Sequence, residues 1–168
     1  MHKPNCNKPL LHERRVLLTR PNAKCESLAL RLADKEIFSH CHPLLNINIE
    51  NSSPDSSFYN ADIIIAISKN AVNFLNQQIK HWPKNAMYLA VGRATQNAFK
   101  SLNVNADIPK YSTSEGLLEL ACLTNVKHKN ISIIRGVGGR ELLATSLVER
   151  GANVNYLEVY KRQLIEIK

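Results

Sequence analysis

Asp62-Ile63-Ile64-Ile65-Ala66-Ile67-Ser68-Lys69-Asn70-Ala71-Val72 decides how this chain folds. The run from Ile63 to Ile67 is continuous, apolar and mostly β-branched. A strand with one wet face would alternate, so this one is expected to be buried on both faces of a parallel sheet. Ser68 ends the run with a hydroxyl suited to a helix N-cap. Ala71, Val72, Phe74 and Leu75 then give the next segment a helical apolar face. The same passage from strand through small turn to helix recurs twice: Met87–Val91 runs into Gly92-Arg93-Ala94-Thr95, and Ile131–Arg135 into Gly136-Val137-Gly138-Gly139-Arg140. A parallel sheet gathers all such turns at one edge, where helix N-termini offer unpaired N–H groups and partial positive charge to an anion.

Outward from these three units the pattern continues. Val104–Ile108 is read as a further short strand, Ser112 and Glu115 as the ends of a capping box, and Gly151 as the C′ glycine of a helix over Glu141–Arg150. Val154–Tyr160 is a last strand. The alternation from Asp62 onward predicts a doubly wound parallel α/β sheet, a complete flavodoxin-like domain. Asn51–Asn60 reads as a loop. The N-terminal part differs: a short lead over residues 1–13, expected to be disordered, precedes one β-α unit within residues 14–42. One strand and one helix cannot cover a sheet, so this unit opens a second, incomplete α/β domain. Residues 43–158 form the complete domain, and 159–168 begin a return strand.

At 44% hydrophobic residues and 21% charged, the chain can build an ordinary core. The net charge of +8 favours acidic partners. Basic residues are spread without long blocks or interleaved aromatics, which argues against nucleic acid. No apolar run approaches the length of a membrane span, and no secretory segment is present. Cys6, Cys25, Cys41 and Cys122 match no zinc or redox spacing, so free thiols in a cytoplasmic setting are expected. His40-Cys41-His42 lacks further clustered ligands, and no metal is expected. Gly136-x-Gly138 follows a strand as a dinucleotide fingerprint would, but position 141 is Glu rather than Gly.

Six segments in order resemble the uroporphyrinogen-III synthase family: Leu18-Thr19-Arg20-Pro21, Ile67–Val72, Ala90–Thr95, Thr113–Leu118, Arg135–Leu143 and Val159-Tyr160-Lys161-Arg162. The resemblance runs from about Arg15 to Arg162. It implies two α/β domains joined by a pair of strands, His42–Ile49 and Leu157–Leu164, with the returning half of the first domain absent. It implies an enzyme of tetrapyrrole and heme synthesis, a cyclising hydro-lyase. That family closes hydroxymethylbilane, a linear tetrapyrrole with carboxylate side chains, into uroporphyrinogen III, inverting ring D and losing water without a cofactor. Little activity is expected of a chain carrying half the cleft, and a monomer is expected.

By the same resemblance Tyr160 is the catalytic candidate. A phenol is protonated at neutral pH and can pass its proton to a leaving hydroxyl. Substrate binding falls to Thr19, Arg20, Ser68, Lys69, Gly92, Arg93, Thr95, Gly136, Gly138, Gly139 and Arg140. The hydroxyls and glycine N–H groups would hold carboxylates beside helix starts, and the arginines would pair with them. Plainer readings stand beside these: Ser68 as a cap, Tyr160 as a packed strand aromatic, each arginine as a solvated surface residue. The rival function is a non-catalytic α/β module holding a phosphate or nucleotide at the same turns.

Overall fold

A computed structural model describes residues 15–165 of the chain, so the expected lead over residues 1–13 and the last three residues of the return strand lie outside it. The backbone divides into two compact units, parting between Asn48 and Ile49 and again between Lys161 and Arg162.

In the smaller unit β1 (Arg15–Leu18) runs parallel to β2 (Phe38–Cys41), with Leu18 opposite Cys41. Helix α1 (Asn22–Ala33) connects them, entered through Pro21, whose fixed φ suits a helix start. Cys25 is fully buried, and its thiol donates to the Leu18 carbonyl at 3.2 Å. Strand β3 (Leu45–Ile49) follows Pro43, and a side-chain bond from Asn48 to Gln163 at 3.0 Å lies in the same unit.

The larger unit opens with a correction. Residues 51–60 are not all loop, because α2 (Ser56–Tyr59) forms there. Asp55 Oδ1 accepts from Ser57 N at 2.9 Å and Phe58 N at 3.4 Å. Phe58 is fully buried, 6.3 Å from the Trp82 ring centroid. Four residues are too few to show a helical period, so only the cap and the buried aromatic hold this turn.

The remaining elements are β4 (Ile63–Ala66), α3 (Lys69–Asn76), β5 (Met87–Ala90), α4 (Arg93–Lys100), α5 (Ser114–Leu118), β6 (Asn130–Gly136), α6 (Leu142–Glu149) and β7 (Asn153–Leu164). A short 3₁₀ turn, Ala121–Leu123, lies between α5 and β6. The sheet order is β3-β7-β6-β4-β5. Strand β4 is parallel to both β5 and β6, and β6 is parallel to β7. All four residues of β4 are buried, as its unbroken apolar run requires. On one face Ile63, Ile65, Leu89, Ile131 and Ile133 pack with Leu117, Leu143 and Leu147 from α5 and α6. Phe99 of α4 lies 5.4 Å from the Tyr88 ring. The class is mixed α/β with a mainly parallel sheet.

Two further expectations need correction. Val104–Ile108 is not a strand. A single parallel bridge joins Asp107 to Leu89, with Ala90 N donating to Asp107 O at 2.8 Å. Asn and Asp are poor strand formers, and Pro109 brings no donor. The cap of α5 is Thr113, not Ser112: Thr113 Oγ1 accepts from Gly116 N at 3.0 Å. Glu115 therefore sits one residue early for a capping box and pairs with Arg140 instead. Gly151 does hold the left-handed C′ position, at φ 85°.

Candidate functional site

Because β4, β5, β6 and β7 are parallel and nearly in register, their C-terminal ends share one edge of the sheet. Ala66 lies opposite both Ala90 and Ile134, and Gly136 lies opposite Tyr160. Ser68, Gly92, Gly136 and Tyr160 each fall within two residues of these pairs. The topology thus brings together in one unit the starts of α3, α4 and α6.

The three starts are finished differently. Helix α3 is capped by Ser68, whose Oγ accepts from Ala71 N at 3.0 Å. Helices α4 and α6 carry no side-chain cap bond at Gly92 and Glu141. An uncapped start leaves first-turn N–H groups open to water or to a ligand.

Ser68 has a second partner. Its Oγ lies 3.1 Å from Tyr160 Oη. The Tyr160 ring is buried, 5.8 Å from that of Phe74. Gly136 is what lets the ring lie there: a Cβ at that position would come within 2.6 Å of Tyr160 Cε2 and Cζ. Gly92 serves a like purpose, since a Cβ there would meet Ser112 Oγ at 2.5 Å. Gly138 and Gly139 are glycines for backbone reasons, with φ of 72° and 128°.

The other nominated residues are placed unevenly. Lys69 and Arg93 are exposed at the first positions of α3 and α4. Thr95 is buried in the first turn of α4, and its N–H returns to Gly92 O at 3.0 Å. Arg140 is exposed, and its guanidinium pairs with Glu115. Thr19 and Arg20 lie in the smaller unit and are exposed.

Sequence reading passed over a cluster beside the glycine turn. Arg135, the last buried residue of β6, has a side chain 7% exposed. Its Nε donates to Glu158 Oε1 at 3.0 Å and its Nη2 to Glu141 Oε1 at 2.9 Å. The guanidinium lies 3.6 Å from the Tyr156 ring centroid. Tyr156 Oη donates to Glu141 Oε2 at 2.6 Å, and Gly138 N donates to Glu158 Oε1 at 3.2 Å. Arg135 Nη1 is buried without a partner among the described residues.

Burial disfavours the Arg135 charge, but hydrogen bonds to Glu141 and Glu158 outweigh it and raise its pKa. The Tyr156 hydroxyl, with Arg135 behind it, lowers the Glu141 pKa. Burial and the Glu141 carboxylate push the Tyr156 phenol up to about 12. The sequence signal for the cluster is an arginine ending an otherwise apolar strand; its partner Glu158 follows only from the register of β6 and β7. Among the described residues no group of His, Cys, Asp and Glu could hold a metal ion, and no helix is long and apolar enough to cross a membrane.

The chain as a whole is similar to known proteins. The sequence profile described as uroporphyrinogen-III synthase HemD matches residues 26–167. Uroporphyrinogen-III synthase of Proteus mirabilis is 35% identical over 164 residues, covering 90% of this chain and 81% of that protein. The Escherichia coli protein of the same name is 33% identical over 158 residues, covering 88% of this chain. The chain spans 64% of the length of that relative. Among solved structures, a mutant uroporphyrinogen III synthase from Thermus thermophilus superposes with a TM-score of 0.71 at 18% identity. That match covers 90% of this chain and 64% of the other, and at such identity it speaks for the fold alone.

Proposed function

Since the chain belongs to the uroporphyrinogen-III synthase family, we propose that its larger unit holds hydroxymethylbilane along the C-terminal edge of the sheet and serves its cyclisation to uroporphyrinogen III. The reaction inverts ring D and loses water. The observation that carries this reading is the Ser68–Tyr160 pair, 3.1 Å apart, on the same edge as the uncapped starts of α4 and α6.

The chemistry asks for two things: a flexible polyanion held in one shape, and a proton for the departing hydroxyl. The first-turn N–H groups of α4 and α6 supply the first, with Lys69 and Arg93 adding charge from exposed positions. Tyr160 supplies the second. Ser68 Oγ already accepts from Ala71 N. Its own proton can point at Tyr160 Oη, leaving the phenol proton free for the leaving hydroxyl. The same donated bond then stabilises the phenolate that forms. When the hydroxyl departs as water, the positive charge left on the chain of pyrroles lies near that phenolate.

Gly136 and Gly139 complete the proposed substrate contacts of the larger unit, and Gly138, whose N–H is donated to Glu158, joins them only by giving up that bond. Thr19 and Arg20 are proposed contacts of the smaller unit. Arg140 belongs with them only if substrate carboxylate displaces Glu115. The same reading takes the sheet as doubly wound and flavodoxin-like, residues 14–42 and 159–168 as parts of a second α/β domain, and the protein as a cytoplasmic monomer without a cofactor.

Ligand-dependent melting tests the binding. Uroporphyrin should raise the melting temperature while ATP and NAD leave it unchanged. ATP stabilisation without uroporphyrin stabilisation would favour a nucleotide module instead. Chromatography of products from hydroxymethylbilane tests the chemistry: type III ring above the spontaneous type I background supports it.

A further inference from the structure

Strands β6 and β7 change register at one place. Arg135 lies opposite Glu158, and the next residue, Gly136, lies opposite Tyr160. Val159 is the extra residue of a β-bulge, and without the bulge Gly136 would face Val159. The bulge therefore decides which residue of β7 meets the glycine that accommodates the Tyr160 ring.

A bulge disrupts the ladder locally and needs other contacts to hold it. Here they sit directly before it on both strands. The buried Arg135 guanidinium bonds to Glu158, and the same Glu158 oxygen takes Gly138 N–H from beyond Gly136. One carboxylate oxygen thus ties residues on both sides of Gly136. Arg135 is itself held by Glu141 and by the face of Tyr156. With two carboxylates balancing its charge, Arg135 is poorly suited to a further anion and well suited to holding the turn.

We propose that Arg135 and Glu158 are positioning residues: their part-buried bridge locks the bulge and so sets the Tyr160 hydroxyl against Ser68. The functional weight of this rests on Tyr160 being the proton donor proposed above. The positioning itself does not.

The test labels the tyrosine Cζ position alone with carbon-13 in the full chain. Five signals are expected, and Tyr160→Phe assigns the one of interest. Arg135→Met and Glu158→Ala should shift or broaden the Tyr160 signal. The Tyr88 signal, from a ring packed against Trp82 and Phe99, should stay in place. Glu158→Gln keeps an oxygen that can accept from Arg135 and Gly138, and it should restore most of the wild-type position. A Tyr160 signal unmoved in both disruptive variants overturns the proposal, as does an equal movement of Tyr88, which marks general loosening.

Should those two variants unfold by Trp82 fluorescence, Arg135→Lys and Glu158→Gln decide the matter. Lysine lacks the fork that reaches both carboxylates. It should move the Tyr160 signal, glutamine should not, and the reverse result refutes the proposal. The signals are read without ligand. A responsive ring in a chain that ignores uroporphyrin would therefore defeat the functional reading while leaving the positioning intact.

Discussion

Gly136→Ala places a methyl group 2.6 Å from Cε2 and Cζ of Tyr160. Ordinary contact begins at 3.4 Å, so the ring or the strand must yield by about 0.8 Å. The ring has little room, being buried, stacked near Phe74 and bonded to Ser68. Overpacking of this kind costs about 1–3 kcal/mol, and it should also break the 3.1 Å contact with Ser68. The assay is urea unfolding followed by fluorescence of Trp82, the only tryptophan, which packs 5.3 Å from Phe99 in the core of the larger unit. A second background isolates the cause. Leucine at position 160 ends short of Cε2 and Cζ and retains only the milder 3.1 Å approach made by Cδ2, so Gly136→Ala should cost much less in Tyr160→Leu. The coupling energy of the double-mutant cycle should then be about 1–3 kcal/mol. Equal costs in the two backgrounds would show that the glycine is needed for some reason other than the ring.

The second close-approach glycine behaves alike on a smaller scale. Gly92→Ala should lower stability by about 1 kcal/mol, because its Cβ meets Ser112 Oγ and Cβ, and Ser112→Gly should relieve the loss in the same unfolding assay. Acid should weaken the turn before α6. The pKa of Glu141 lies below 4.5 in the folded chain, so its stabilisation is complete above pH 4.5 and is lost as pH falls through the folded value. Tyr156→Phe removes the largest cause of that shift and should flatten the fall of the urea midpoint across this range; an unchanged slope would count against the cause assigned. The Cys25 thiol raises the Cys41 pKa to about 11. At pH 9 iodoacetamide should therefore alkylate Cys41 about tenfold more slowly than an ordinary thiol. Cys25→Ala should remove the lag, as mass spectrometry of the modified peptide would show.

What could be read in advance followed the strength of local pattern. β4 is a continuous apolar run bounded by small turns, and β6 is largely isoleucine with Ser132 between; such runs have few other homes than a parallel sheet. Gly151 declared a helix end because few other residues tolerate its φ. Short elements held by single contacts were not legible. α2 depends on the Asp55 cap and the burial of Phe58, and neither leaves a periodic trace. Ser112 and Thr113 are both competent caps by residue type; Thr113 caps the helix while Ser112 lies against Gly92.

Among the candidate residues, the gathering of Ser68, Gly92 and Gly136 at one edge was implied by parallel order alone. The partners of the charged residues were not. Arg140, nominated for carboxylate, meets Glu115 at a separation of 25 in sequence, and Arg135 meets Glu158 at 23. Pairings that distant are set by register and packing, and one strand read by itself contains neither.

The central claim is that a polycarboxylate tetrapyrrole rests on the C-terminal edge of this sheet. Backbone amide shift mapping during titration with uroporphyrin tests it most directly. The account predicts the largest perturbations at Ser68–Asn70, Gly92–Ala94 and Gly136–Gly139, with little change at the far edge. Perturbations centred instead on the cleft lined by Tyr59, His81, Pro83 and Lys84 would contradict it.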